Sequence, residues 1–244
     1  MMKDHIDEQR ETTAAARAAA WGVHLYTATG ALTGFAATLA VIAGDYRTAF
    51  LWLAAATFVD ATDGMLARLA HVKARVPTFD GGRLDDIVDY LTYVFVPVLL
   101  LHHAGALPPG WGVAVASVVL LSSAYGFASE DAKSDDHFFT GFPSYWNIVA
   151  VYLLALGLPP MVNAGILLTF SILVFVRIGY IYPSRTPVLR GLTLGLGGLW
   201  ALMVVAVILA LPDPPMLLVI GSLYFPVYYT VLSFTLHARR SRRA

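Results

Sequence analysis

Long runs of apolar residues, separated by short polar turns, dominate the chain. Eight of these runs come close to the roughly 20 residues that an α-helix needs to cross a bilayer. The turns between them carry residues such as Gly44-Asp45, and none is long enough for a soluble domain. The pattern predicts one all-α, polytopic membrane domain over residues 21–238. Its eight helices are predicted at residues 22–43, 47–70, 84–104, 110–128, 144–160, 161–182, 187–211 and 215–236.

The two ends of the chain depart from this pattern. Residues 1–20 are polar and then alanine-rich, and residues 239–244 form a basic tail. The first segment lacks the apolar core of a secretory signal. We expect it to be a cytoplasmic segment, either a helix at the membrane surface or a frayed polar tail.

Composition agrees with a membrane protein and excludes several other classes. Hydrophobic residues make up 58% of the chain and charged residues 13%, against about 45–50% and about 25% in soluble domains. These values exclude a disordered chain, a coiled coil and a nucleic-acid binder. Because there is no cysteine, thiolate metal sites and cysteine nucleophiles are excluded as well.

The basic residues predict how the chain crosses the membrane. Lysine and arginine total 16, and with the N-terminus inside, the eight helices leave only Arg47 on the outer side. Cytoplasmic loops usually carry the excess of basic residues. We therefore expect an even number of crossings with both termini in the cytoplasm.

Aspartates cluster where the apolar pattern should exclude them. An aspartate at the centre of a membrane helix costs roughly 2.5 to 3.5 kcal/mol, so several together require compensation. Asp60 and Asp63 are three residues apart, Asp85 and Asp89 four apart, and each pair shares one face of its helix. An antiparallel helix pair would bring the four carboxylates together as an oxygen site for Mg²⁺ or Mn²⁺, with capacity for two ions.

Small and basic residues beside these carboxylates predict a diphosphate pocket. Gly64, Ala67 and Gly81 leave room for a bulky group to approach the backbone, and Arg68 offers a guanidinium group for phosphate. Asp80 and Asp86 lie off the shared faces, and we interpret them as helix caps or partners of basic residues.

The complete stretch is Asp60-x2-Asp63-Gly64-x2-Ala67-Arg68-x12-Gly81-x3-Asp85-x3-Asp89. It resembles the signature of the CDP-alcohol phosphotransferase family, with twelve residues rather than the usual eight between Arg68 and Gly81. The longer spacing, and eight predicted helices rather than six, are similar to a bacterial branch that uses free choline. Residues 24–30, 138–147 and 180–185 resemble that branch too.

The resemblance implies a reaction and a set of roles. CDP-diacylglycerol would react with choline to give phosphatidylcholine and CMP, in a bacterial inner membrane, with Mn²⁺ or Mg²⁺ required and the site at the cytoplasmic face. The family's metal-binding aspartates map to Asp60, Asp63 and Asp85, and Asp89 maps to the proposed general base and a further ligand. Gly64, Ala67, Arg68 and Gly81 map to the nucleotide-diphosphate pocket. Family members are often homodimers, so a homodimer is expected here.

Other residues give candidates for the two substrates. Quaternary ammonium groups bind over aromatic faces, and the predicted choline contacts are Tyr145, Trp146 and Tyr182; an aromatic belt at the membrane interface is the alternative interpretation. Arg177 and Arg185 are candidates for the phosphate of the lipid donor, or for cations that simply reach the interface.

Three alternatives to a choline transferase remain open from the sequence. Another member of the same family would keep every aspartate but use serine, glycerol phosphate or inositol phosphate as acceptor, or CDP-choline as donor. An intramembrane prenyltransferase would use Asp85-Asp86-x2-Asp89 as its acidic motif. A cation or proton transporter would place its carboxylates near the membrane midplane instead of at one end.

Overall fold

Helix α1 (Met2–Ile42) is an uninterrupted helix of 41 residues in the computed structural model. The structure describes residues 2–129, 138–182, 186 and 188–241, and side chains for residues 13–129, 138–182, 186 and 188–239. The expected boundary near residue 20 is absent, because the alanine-rich segment continues directly into the apolar one with no proline to break it. The predicted separate surface helix is therefore the first half of α1.

Helix α2 (Tyr46–Leu69) runs back along α1. Asp45 caps its start by accepting a hydrogen bond from the Thr48 backbone N–H at 3.0 Å, and this bond lowers the pKa of Asp45. A left-handed residue, His71, then leads into the short helix α3 (Val72–Arg75). Together these elements reverse the chain at the end of α2.

The next helix is built from three segments that follow one another without a break. They are α4 (Gly81–Asp89), a π-helical turn (Tyr90–Phe95) and α5 (Val96–His103). The whole matches the predicted helix at 84–104 within a few residues. Two glycines of α1 allow it to pack closely on α1: Gly34 leaves no room for a Cβ beside Leu91, and Gly30 leaves none beside Val88.

Three shorter apolar helices follow, and a small sheet interrupts them. The helices are α6 (Gly112–Ala128), α7 (Trp146–Ala155) and α8 (Pro160–Leu173), and the strands β1 (Phe138–Thr140) and β2 (Gly179–Ile181) pair antiparallel. The all-α class is confirmed, but the helix predicted over 161–182 ends at Leu173 and a short strand follows it. Backbone N–H groups of Gly141 and Phe142 bond the carbonyls of Ile178 and Leu173, so the end of α8 pairs with the β1 segment instead of continuing as a helix.

The chain closes with α9 (Arg190–Leu209), α10 (Met216–Ser222) and α11 (Tyr224–Ser241). Four helical stretches of the described chain are long and apolar enough to cross a membrane. They are Thr13–Ile42, Tyr46–Leu69, Arg190–Leu209 and Met216–Arg239. With the apolar composition and the shorter apolar helices, they make the chain a multi-pass membrane protein.

Candidate active site

Three carboxylates from two helices meet in one cluster. Asp60 comes from α2, and Asp85 and Asp89 come from α4; one oxygen of each lies within 4.8 Å of the other two. All three side chains are half-buried. A donor set made only of carboxylate oxygens suits a hard divalent cation such as Mg²⁺ or Mn²⁺. The residues therefore fit the metal that the sequence predicts.

The local sequence explains how α4 presents its two aspartates. Asp80 caps the helix: its Oδ1 accepts from the backbone N–H groups of Gly82 and Arg83 at 3.1 Å each, and its Oδ2 pairs with the exposed Arg83 side chain. The helix therefore starts at Gly81, which places Asp85 and Asp89 one turn apart on one face. The capping role predicted for Asp80 is confirmed.

Asp60 is oriented by a hydrogen bond from the same long helix that carries Asp85 and Asp89. The buried Tyr93 hydroxyl donates to Asp60 Oδ2 at 2.7 Å. Three residues before Asp60 on α2, the Thr57 hydroxyl accepts from Asn147 Nδ2 at 3.1 Å. This contact connects α7 to the helix that carries Asp60. Sequence reasoning missed Tyr93 and Asn147, although Tyr93 lies four residues after Asp89 in the same helix.

Asp63 has a different position from the other three predicted ligands. Its side chain is only 7% exposed, and its Oδ2 accepts a hydrogen bond from Thr27 of α1 at 2.7 Å. It lies outside the group of three carboxylates that can share one ion in the described part of the chain. The structure therefore brings Asp60, Asp85 and Asp89 together and holds Asp63 against α1.

The residues predicted for the diphosphate pocket surround the start of α4 and the end of α2. Gly64 lies beside its own helix neighbour Arg68, whose Nη1 is 3.5 Å from where a Gly64 Cβ would be. Ala67 packs against the small apolar cluster of α1 and α3. Gly81 faces α1, where a Cβ would lie 2.7 Å from Cε1 of His24.

His24 is a buried polar group that the sequence did not single out as a site residue. It is 6% exposed, and its Nε2 has no hydrogen-bond partner among the described residues. Its ring packs on Phe79 with a centroid distance of 4.5 Å. The contact of its ring with Gly81, a residue predicted for the diphosphate pocket, is the feature that identifies His24 as part of the site.

Aromatic rings lie against the other side of the carboxylates. The Tyr145 hydroxyl interacts electrostatically with Asp60 and Asp89, and the Tyr145 ring is 6.1 Å from Tyr93. Phe139 of β1 lies between Tyr145 and Tyr182, with centroid distances of 6.4 and 4.8 Å. Tyr145 and Tyr182, two of the predicted choline contacts, thus lie in one aromatic group near the aspartates.

The remaining predicted residues are placed elsewhere. Trp146 is fully buried; its indole N–H donates to Ser123 at 2.7 Å, and its ring packs on Phe142. It belongs to the helical core. Arg177 is exposed in the segment between α8 and β2, not at the end of a membrane helix. Arg185 lies outside the described residues.

Fold and site together define a polytopic membrane protein with a carboxylate cluster suited to a divalent metal. Residues 24–182, which include every site residue above except Arg185, match the CDP-alcohol phosphatidyltransferase family. The chain belongs to this family. That assignment excludes the prenyltransferase and the transporter.

Several curated relatives share a name. The chain is 46% identical over 169 residues to a phosphatidylcholine synthase of Legionella pneumophila, a match that covers 68% of this chain and 66% of that protein, just under two thirds. It is 38% identical to the phosphatidylcholine synthase of Pseudomonas aeruginosa (83% of this chain, 85% of the relative). It is 32% identical to that of Rhizobium meliloti (89% and 90%).

Proposed function

We propose that the protein transfers the phosphatidyl group of CDP-diacylglycerol to the hydroxyl of free choline, giving phosphatidylcholine and CMP. The observation that carries the proposal is the position of Tyr145. Its ring lies 6.1 Å from the ring of Tyr93, whose hydroxyl donates to Asp60 of the carboxylate cluster at 2.7 Å, so an aromatic group lies beside the reacting centre. An aromatic face binds a quaternary ammonium, and the relatives named phosphatidylcholine synthase agree with this acceptor.

The reaction needs one proton acceptor near the attacking hydroxyl. Asp89 takes the proton from choline as the choline oxygen bonds to the phosphorus that carries the lipid. The bond from that phosphorus to the CMP oxygen breaks, and CMP leaves. Asp60, Asp63, Asp85 and Asp89 would hold one or two Mn²⁺ or Mg²⁺ ions, which would supply positive charge against the diphosphate and the leaving CMP. We infer direct displacement, because no covalent nucleophile is evident among the residues that the structure describes around the carboxylates.

The donor is proposed to bind on the side of α1, α2 and the start of α4. Gly64, Ala67 and Gly81 would border the nucleotide diphosphate, and Arg68, which is exposed, would contact its phosphates. Arg177 and Arg185 are proposed contacts of the lipid phosphate.

Choline is proposed to bind on the opposite side of the cluster. Tyr145 and Tyr182 would hold its trimethylammonium group, with Phe139 between them at 6.4 and 4.8 Å. Such contacts contribute about 0.5 to 2 kcal/mol each. Trp146 is left out of this pocket because its ring is enclosed in the core.

The function is tested by incubating purified protein with CDP-diacylglycerol, Mn²⁺ and radiolabelled choline. We expect label in the lipid fraction and an equal amount of released CMP. Serine, glycerol 3-phosphate and inositol phosphate are tried in parallel. Label transfer to one of these acceptors and none to choline would refute the choline assignment and leave the family assignment intact.

We also propose eight membrane crossings with both termini in the cytoplasm and the site at the cytoplasmic face. Arg47, at the predicted outer end of α2, donates a hydrogen bond to the Leu211 carbonyl at 3.1 Å, so the α1–α2 and α9–α10 turns lie at the same end of the molecule. We also propose a homodimer, because Gly191 and Gly195 of α9 have open space beside them and would allow a helix of a second copy to approach closely.

Reporter fusions test this topology. A fluorescent protein that matures only in the cytoplasm should fluoresce at either terminus, and alkaline phosphatase inserted after Gly105 should be active. An inactive phosphatase at that position, or a dark C-terminal fusion, would rule out the proposed arrangement. The dimer would be seen as twice the monomer mass by light scattering in detergent.

A further inference from the structure

One face of the last helix, α11, is hydrogen-bonded to strand β2 by three side chains. The Tyr229 hydroxyl donates to the Ile181 carbonyl at 3.1 Å, and the Ile181 backbone N–H donates to Ser233 Oγ at 3.1 Å. One turn further on, the Gly179 N–H donates to His237 Nδ1 at 3.2 Å. These residues recur every four positions, which keeps them on one side of a helix.

The contacts occupy the free edge of a two-stranded sheet. Strand β1 pairs with one edge of β2, and the backbone groups on the other edge would need partners in an apolar setting. Side chains of α11 supply them. The position of β2, and of the residue that follows it, is therefore set by the register of α11.

The residue after β2 is Tyr182, one of the proposed choline contacts. Its ring packs on Phe139 of β1 with a centroid distance of 4.8 Å, and its backbone follows directly from β2. Tyr229 itself meets Tyr145 edge to face, with a centroid distance of 6.5 Å. Tyr229 thus contacts both the strand that leads to Tyr182 and the side chain of Tyr145.

Helix α11 lies beyond the part of the chain that matches the family, which ends at residue 182. The carboxylates and the residues around the donor side all lie within that part. The contacts of α11 described above reach only β2 and the aromatic group, on the acceptor side.

We propose that α11 is the acceptor-positioning helix of this enzyme, with Tyr229 as a positioning residue that orders Tyr145 and Tyr182 for a cationic alcohol. This inference rests on the proposed choline transfer. It assigns a role to the helices that extend the chain past the family core: they shape the acceptor pocket, while the core binds the metal and the nucleotide.

The test is a pair of tyrosine-to-phenylalanine variants on adjacent positions of α11. Tyr229→Phe removes the hydroxyl that donates to the Ile181 carbonyl and keeps the ring that meets Tyr145. Tyr228→Phe removes a hydroxyl that bonds Thr193 of α9 at 2.8 Å and serves as the matched control. For Tyr229→Phe we expect the KM for choline to rise about 3- to 10-fold, the range for one lost hydrogen bond. Its KM for CDP-diacylglycerol should stay within about twofold of the parent, and Tyr228→Phe should leave both constants unchanged.

Three results would overturn the proposal: unchanged constants in Tyr229→Phe, an equal rise in both constants, or the same choline effect in Tyr228→Phe. Ser233→Ala, which removes the acceptor for the Ile181 N–H, gives a second test if Tyr229→Phe does not fold. Its KM for choline should also rise while its KM for CDP-diacylglycerol stays unchanged. If the parent enzyme uses another alcohol, choline transfer is refuted. With that alcohol as acceptor, a rise in its KM but not in the KM for CDP-diacylglycerol in Tyr229→Phe would then test the role of α11 separately.

Discussion

Replacement of Asp89 by asparagine is expected to lower kcat by about 10²- to 10⁴-fold, the range that general-base catalysis contributes. The amide keeps the shape of the carboxylate but cannot accept a proton. It also weakens the group of three oxygens, which lie within 4.8 Å of one another. Single-turnover formation of labelled phosphatidylcholine, with both substrates saturating, measures the chemical step.

The matched control is Asp86→Asn on the same helix. Asp86 lies outside the carboxylate cluster of the described residues, so its variant should retain activity within a few-fold of the parent. Comparable losses in the two variants would contradict the role of Asp89, because the effect would then follow from the loss of any negative charge on α4. Thermal unfolding of both variants checks that they are folded.

Removal of divalent ions is expected to have an effect at least as large. A metal that stabilises developing charge contributes several kcal/mol, and each 1.4 kcal/mol is a factor of ten. Activity after treatment with a chelator should therefore fall at least about 10³-fold and return on addition of Mn²⁺ or Mg²⁺. Full activity in the metal-depleted protein would contradict a metal-dependent mechanism.

The hydrogen bond to Asp60 makes the metal prediction specific to this site. Tyr93→Phe removes the hydroxyl that donates to Asp60 at 2.7 Å, and loss of such a supporting contact commonly weakens metal affinity 10- to 100-fold. The Mn²⁺ concentration that gives half-maximal activity should rise by that factor. Asp80→Asn keeps the helix cap, since asparagine is a good capping residue, and should leave the Mn²⁺ dependence unchanged.

The sequence predicted the cluster because its geometry is mostly local. Asp85 and Asp89 share a face through helical spacing alone, and Asp60 reaches them because α2 and α4 both pack against α1. The different place of Asp63 could not be read in the same way. Its partner, Thr27, is 36 residues away on α1, and helical spacing does not say which neighbouring helix a buried carboxylate will meet.

The aromatic residues show a second limit of sequence reasoning. Tyr145 and Trp146 are adjacent, yet one lies beside the aspartates and the other in the core. Their directions depend on how the chain enters α7, through Ser144 and Gly141 with positive φ angles of 56° and 82°. Likewise, the end of α8 was predicted as a helix because its residues are apolar. Pairing with a strand some 40 residues away decides its structure.

The π-helical turn Tyr90–Phe95 begins directly after Asp89. A π turn contains more residues than an α turn, so the two halves of this long helix are rotated relative to each other. The N-terminal half, α4, can then direct Asp85 and Asp89 towards the cluster, while the C-terminal half, α5, packs Val96 and Leu100 fully into the core. The number of residues between Asp89 and Pro97 therefore fixes the rotation of one half of the helix relative to the other. An insertion or deletion there would turn one half by about 100° per residue, so the length of this segment should matter more than the identity of its apolar residues.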